Sequence, residues 1–201
     1  MVLTATFLLI RHAAHVHLDR RLSGRMPGVA LSDEGQAQAR ALGRGLRGER
    51  IDHIVCSPLE RTRDTAIVIA DACGLAAPEP VEALIEIDMG EWTGAAFATL
   101  AGPAWDAWNG ARSTARIPGG ETMAEARDRI TGYMRTVAAA RDGEVVALVT
   151  HSDMIRAAVA DTIGLPLDHL LRFDVAPASV SRLVIGDWGG RLISLNERVA
   201  A

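Results

Sequence analysis

Apolar positions along the chain follow two different rhythms. Residues 6–11 (Thr-Phe-Leu-Leu-Ile-Arg), His53–Cys56, Val81–Ile87 and Val145–Thr150 are short, nearly unbroken apolar runs, the pattern of strands covered on both faces. Between them apolar residues recur at helical spacing. Ser32, followed by Asp33 and Glu34, predicts an N-cap for a helix carrying Ala37, Ala41, Leu42 and Leu46. Ser57-Pro58-Leu59-Glu60 predicts a second helix, with serine as cap and proline at its first position, running to Cys73 before Gly74. Thr122 and Glu125 form a capping box ahead of Met123, Ala126, Ile130, Met134 and Val137 on one face of a long helix. A helix over Ser152–Ile163 follows, then strands at Ser179–Ile185 and Arg191–Leu195 joined as a hairpin by Gly-Asp-Trp-Gly-Gly.

Strands alternating with helices predict an α/β fold, a three-layer α/β/α sandwich on a mainly parallel sheet with an antiparallel edge. Residues 88–120, rich in glycine and tryptophan and without a clean period, read as a cap or lid inserted in a single domain spanning 1–201. The apolar run from Val2 to Ile10 is ended by Arg11 and has no basic residue before it. It reads as a buried strand rather than a leader or membrane span, and the chain as cytoplasmic.

Composition narrows the chemistry. All 21 basic residues are arginine, so a lysine-dependent phosphate loop and Schiff-base catalysis are excluded. Twenty-five acidic residues leave a net charge of −4 with the arginines scattered, which argues against nucleic-acid and anionic-membrane partners. Cys56 and Cys73 form no paired motif and read as buried thiols in a reducing compartment.

In open α/β sheets ligands bind beyond the carboxyl ends of the strands. Arg11-His12, Ser57 to Arg61 and Thr150-His151 occupy such ends, and Glu86 closes the Val81–Ile87 run. Two other patterns compete. Gly43-Arg-Gly45-Leu-Arg-Gly48 fits a dinucleotide fingerprint but ends a helix instead of opening one. His15-Val-His17-Leu-Asp19 is similar to the start of a binuclear zinc hydrolase signature. Its sixth position is Arg20, which cannot ligate zinc, so His15 and His17 read as polar residues of an exposed loop.

The motifs Leu-Ile-Arg11-His12-Ala13, Ser57-Pro-Leu-Glu-Arg61-Thr-Arg-Asp-Thr-Ala66, Leu84-Ile-Glu86-Ile-Asp-Met-Gly90-Glu-Trp92-Thr-Gly94 and Val149-Thr-His151-Ser152 occur in the order found in the histidine phosphatase superfamily, which the chain resembles from residue 7 to 156. The resemblance implies a phosphoglycerate mutase-like fold and a phosphohistidine intermediate formed without metal or cofactor. By position it implies His12 as nucleophile, Arg11, Arg61 and His151 as the phosphate pocket, and Glu86 as proton donor. Ser23, Gly24 and Ser152 would border the substrate. Ala13 replaces the family's usual glycine, and Leu18 stands where many members place a phosphate-binding asparagine.

These residue types suit phosphoryl transfer. Arginine forks match phosphate oxygens, a neutral imidazole nitrogen is the nucleophile, and a carboxylic acid protonates the leaving alkoxide. Asp88 and Glu91 are nearby alternatives to Glu86 but read as surface charges. The expected function is hydrolysis of a small phosphorylated metabolite, favoured by chain length and the modest 88–120 segment. A phosphomutase is the alternative within the same chemistry, and a noncatalytic phospholigand-binding scaffold the alternative outside it. Arg112 and Arg116 are candidates for a second anionic group, Trp92, Trp105 and Trp108 for an aromatic wall or a small core of the cap, and a homodimer is left open.

Overall fold

The computed structural model describes residues 3–198, so Val2, at the start of the first apolar run, lies outside the described residues. Six strands form one sheet: β1 (Thr4–Arg11), β2 (His53–Cys56), β3 (Glu79–Pro80), β4 (Val145–Thr150), β5 (Ser179–Gly186) and β6 (Gly189–Arg198), ordered β3-β2-β4-β1-β5-β6. β3, β2, β4 and β1 run parallel, whereas β5 and β6 add an antiparallel edge. The helices are α1 (Asp33–Gly45), α2 (Glu60–Cys73), α3 (Pro103–Gly110), α4 (Met123–Ala140) and α5 (Ser152–Ile163).

The unbroken apolarity of β1 and β4 follows from having helices on both faces. Phe7 and Leu9 of β1, with Val146 and Leu148 of β4, pack into one core with α4 and α5 residues such as Ile130, Met134, Ile155 and Val159. Leu8 and Ile10, with Ala147 and Val149, point the other way, toward Leu42 of α1 and Ile69 of α2. A strand alternates its side chains between faces, so both sets are needed to cover it. The α/β/α sandwich with its antiparallel edge agrees with the expected fold class.

Two elements differ from expectation. The second helix opens at Glu60 rather than Pro58, with Leu59 at the N-cap and no side-chain cap bond. Ser57 Oγ is instead 2.8 Å from His151 Nε2, and the Glu60 carboxylate accepts the Gly28 amide at 2.9 Å. The run Val81–Ile87 forms no strand. Residues Glu82–Leu84 make a 3-10 turn whose surrounding carbonyls are taken by side chains. Thr150 Oγ1 donates to Leu84 O at 2.6 Å, and Arg129 Nη1 donates to Ala83 O at 3.0 Å and Ile85 O at 2.8 Å. These contacts hold the segment in place of a ladder, and Glu86 sits on a loop braced from both β4 and α4. The Thr122–Glu125 capping box is present with both reciprocal bonds.

The central position of β1 carries a stability expectation. Leu9→Ala removes a fully buried side chain and should cost about 2–5 kcal/mol, whereas Ile193→Ala on the exposed edge of β6 should change stability by less than about 1 kcal/mol. Denaturant unfolding of the two variants beside the wild type checks this; equal losses would place the core elsewhere.

Candidate active site

β1 and β4 are adjacent and in register, with Arg11 opposite Thr150. This alignment carries the next residue of each, His12 and His151, to the same rim, with ring centroids 5.2 Å apart. The His12 amide donates to Thr150 O at 2.9 Å, and the Ser57 amide to Val149 O at 2.9 Å, so the loop after β2 is tied to the same edge. α2 then rises with Arg61 in its first turn. Thr65 Oγ1 accepts the Ala13 amide at 3.1 Å and donates to Arg61 O at 2.7 Å, linking the residue after His12 to the turn that holds Arg61.

The hydrogen bonds define the tautomers. His12 Nδ1 lies 2.8 Å from the Ala13 carbonyl oxygen, which can only accept, so Nδ1 carries the proton and Nε2 keeps its lone pair. Arg61 Nη2 donates to His151 Nδ1 at 3.3 Å, so His151 carries its proton on Nε2 and donates it to Ser57 Oγ. Burial, followed by the charges of Arg61 and neighbouring groups including Arg11, holds both imidazoles well below the ordinary histidine value, and both are neutral.

Arg61 is 1% exposed. One of its nitrogens bonds Gly24 O at 2.7 Å, while Nε and Nη1 have no partner among the described residues. Arg11 donates to Val175 O at 2.6 Å and leaves Nε unpaired. Burial lowers both guanidinium values somewhat, without bringing either near neutrality. Buried donors left unpaired are costly, and the two arginines that carry them line one cavity, a concentration of positive charge suited to an anion.

That cavity has a volume of about 320 Å³. Arg11, His12, Arg61 and Glu86 line it, as do Ser23, Gly24 and Ser152. Ser23 Oγ is buried without a partner. His151 does not line the cavity and is fully buried. Glu86 retains 13% of its side-chain exposure, accepts the Ile87 amide at 3.0 Å and places Oε2 3.8 Å from His151 Nδ1. Burial, reinforced by the Asp153 carboxylate and opposed by Arg61 and Arg11, pushes its pKa up to about 7.

The neighbouring carboxylates are elsewhere. Asp88 accepts the Gly90 amide and faces Arg25 at 3.5 Å, and Glu91 is exposed; neither lines the cavity. Arg112 reaches the cavity with its guanidinium over the Trp108 ring, 5.0 Å from the centroid. Arg116 does not, being paired with Glu125 at the surface. Trp108 is 1% exposed and joins the main core with Ile87 and Ile117, and Trp92 packs edgewise on Trp105 and Trp108. The tryptophans are thus part of the domain core, and Trp105 and Trp108 also form one cavity wall.

The reading of His15 as an exposed loop residue is incorrect. It is buried, lines the cavity and stacks at a tilt against His12, with centroids 5.3 Å apart. The hairpin-like return of the loop, where His15 bridges Leu31, is a long-range contact with no local signal. Among the described residues no group of three or more His, Cys, Asp or Glu side chains is placed to hold a metal ion, and no helix is long and apolar enough to cross a membrane.

Fold and rim together define a class: an α/β protein that presents arginine donors, neutral imidazoles and a raised carboxyl to a small anion. The chain belongs to the histidine phosphatase superfamily (branch 1), whose family model matches residues 7–198. It is 32% identical over 181 residues to the probable phosphoglycerate mutase GpmB of Salmonella choleraesuis (strain SC-B67), covering 87% of this chain and 82% of that protein. It is 29% identical over 195 residues to phosphoserine phosphatase 1 of Hydrogenobacter thermophilus, covering 94% and 90%. Among solved structures, a mycobacterial glucosyl-3-phosphoglycerate phosphatase superposes with a TM-score of 0.85 at 25% identity, over 96% of this chain and 99% of that one.

The shifted groups pull stability in opposite directions. His12, His15 and His151 bind protons less readily when folded than the ordinary value of 6.5, with His15 lowered to about 4, so their contribution is lost as pH falls below 6.5. Glu86 binds its proton more readily when folded, so its contribution is present below 4.5 and is lost as pH rises through about 7. Glu86→Gln removes the opposing group. Its stability, measured by denaturant unfolding from pH 4.5 to 7, should therefore rise with pH more steeply than that of the wild type; parallel curves would mean that Glu86 is not raised.

Proposed function

We propose that the protein hydrolyses a small phosphomonoester through a phosphohistidine on His12. The observation that carries this reading is the His12 tautomer: Nδ1–H is held by the Ala13 carbonyl and Nε2 is left unprotonated in a cavity with unpaired arginine donors. Arg11 and Arg61 hold the phosphoryl oxygens. Their planar forks stabilise charge that stays on the equatorial oxygens during transfer. His151, fully buried, accepts from Arg61 Nη2 through Nδ1 and donates from Nε2 to Ser57 Oγ, so it steadies the Arg61 fork at the phosphate pocket.

In the first step Nε2 of His12 forms a bond to phosphorus as the ester P–O bond breaks. Glu86, protonated near neutral pH, gives its proton to the departing alkoxide. In the second step water attacks phosphorus, the N–P bond breaks, and the Glu86 carboxylate takes the water proton, releasing inorganic phosphate and restoring the site. Ser23, Gly24 and Ser152 border the substrate, and the cavity volume of about 320 Å³ suits a small metabolite.

The relatives support phosphoryl chemistry and divide over its outcome, since two are named for phosphatase activity and one as a probable phosphoglycerate mutase. A mutase returns the phosphoryl group to a second hydroxyl, whereas a phosphatase gives it to water. Turnover of a panel of sugar phosphates, phosphoglycerates and phosphoserine, followed by released phosphate, separates the two. A noncatalytic scaffold would release none.

Rapid-quench kinetics test the residue roles. Wild type should show an acid-labile, base-stable phosphoryl adduct, and folded His12→Ala should show none and turn over near background. Glu86→Gln should slow the burst by about 10²- to 10⁴-fold for alkyl phosphates, and much less for an activated aryl phosphate whose leaving group departs without a proton. In wild type the alkyl burst rate should fall as pH rises through about 7. A burst in His12→Ala, or equal losses for both leaving groups in Glu86→Gln, contradicts the assignment.

A further inference from the structure

His15 is the one imidazole of the cavity that the proposed reaction leaves without a task. Its surroundings hold it in place. The Ala14 amide donates to Gln38 Oε1 at 2.9 Å, and the Ala14 carbonyl accepts the Ser32 amide at 3.0 Å. Ser32 also caps α1 through its hydroxyl, accepting the Gly35 amide at 3.1 Å. Gly35 lacks a Cβ where one would collide with the Ala14 carbonyl, so the helix start presses directly on the loop. On the other side of His15, the Val16 amide donates to Ala30 O at 3.2 Å and the Leu18 amide to His15 O at 3.0 Å. The backbone on either side of His15 is thus tied down, which fixes where its side chain starts.

Its protonation is likewise defined. His15 Nδ1 accepts the His17 amide at 3.2 Å, so the neutral ring carries its proton on Nε2. Burial, with the charges of Arg61, Arg11 and His17, holds its pKa at about 4, and the ring is a neutral donor across the working range. Nε2–H is therefore the polar group His15 has left to offer the cavity that it lines. Leu18 on the same wall offers no donor, and Asp19 offers only an acceptor.

We propose that His15 is a catalytic residue, its Nε2–H donating a hydrogen bond to a nonbridging oxygen of the phosphoryl group during transfer to and from His12. This rests on the phosphohistidine reading of the site. The imidazole completes, from the loop side, a ring of donors that Arg11 and Arg61 open from the strand and helix sides. Because it is neutral, it adds a donor without a further positive charge beside the His12 nucleophile. His15 already disfavours protonation of His12, and a permanent cation at this position would increase the burial cost that the two arginines impose.

The test compares His15→Phe, which keeps a ring without a donor, with His15→Gln, which keeps a donor without a ring. Burst-rate constants with an aryl phosphate and inhibition by vanadate are the readouts. A hydrogen bond to a charged oxygen is worth about 10- to 100-fold. His15→Phe should therefore slow the burst and weaken vanadate by about that factor with KM little changed, and His15→Gln should recover most of both. A folded His15→Phe variant within twofold of wild type in burst and vanadate inhibition overturns the proposal. If His15→Phe does not fold, the vanadate complex of the wild-type protein decides by crystallography: His15 Nε2 within about 3.2 Å of a vanadate oxygen supports the donor role, and a ring turned away overturns it. Absence of any burst in the wild type would remove the phosphohistidine reading itself, an outcome distinct from a normal burst that survives loss of the His15 donor.

Discussion

Two guanidinium groups at the rim of the sheet, Arg61 fully and Arg11 partly buried, with part of their hydrogen-bonding capacity unused, set the terms for every other group of the site. Arg61 spends one nitrogen on Gly24 O and Arg11 one on Val175 O, while Arg61 Nε and Nη1 and Arg11 Nε are buried without a partner among the described residues. Burying a charge costs several kcal/mol unless it is paired, and backbone carbonyls only partly compensate. A bound anion would complete the arrangement. The same charges, together with burial, keep His12, His15 and His151 neutral, the state that the proposed roles of nucleophile and hydrogen-bonding imidazoles require. Glu86 escapes the full pull of the arginines because burial and Asp153 outweigh them, which raises its pKa to about 7, as the proposed acid role requires.

The sheet supplies the geometry at no cost in flexibility. Adjacent parallel strands in register end at the same level, so β1 and β4 deliver Arg11-His12 and His151 to one point from positions far apart in the chain. Loops braced by side chains bring the rest: Thr65 ties Ala13 to α2, and Thr150 and Arg129 hold the Glu86 segment. Preorganised donors of this kind contribute to rate because they need not rearrange as charge moves.

Much of this was legible in the sequence where local pattern and tertiary demand coincide. β4 and α5 have the expected bounds because their apolar runs serve faces that are both buried, and the Thr122 capping box is a purely local device. Ser57 misleads for a physical reason: a serine before proline has the chemistry of a cap, but its hydroxyl is recruited by His151 across the sheet. Val81–Ile87 has the composition of a strand, yet its carbonyls are claimed by Thr150 and Arg129, partners remote in sequence. His15 could not be read from spacing, because its burial depends on the Ala14–Ser32 clasp and on the absence of a Cβ at Gly35. Arg112 and Arg116 look alike in sequence; the stacking of Arg112 on buried Trp108 and the pairing of Arg116 with Glu125 separate them.

The dependence of the site on a neutral His12 with Nε2 free is open to direct observation by nitrogen NMR of the histidine-labelled protein without ligand. The His12 ring should show a protonated Nδ1 and an unprotonated Nε2, unchanged as pH is lowered from 8 through the ordinary histidine value of 6.5, because burial and the arginines depress its pKa well below that value. A His12 ring that titrates near 6.5, or that carries its proton on Nε2, would contradict the claim that the buried arginines and the Ala13 carbonyl prepare the nucleophile.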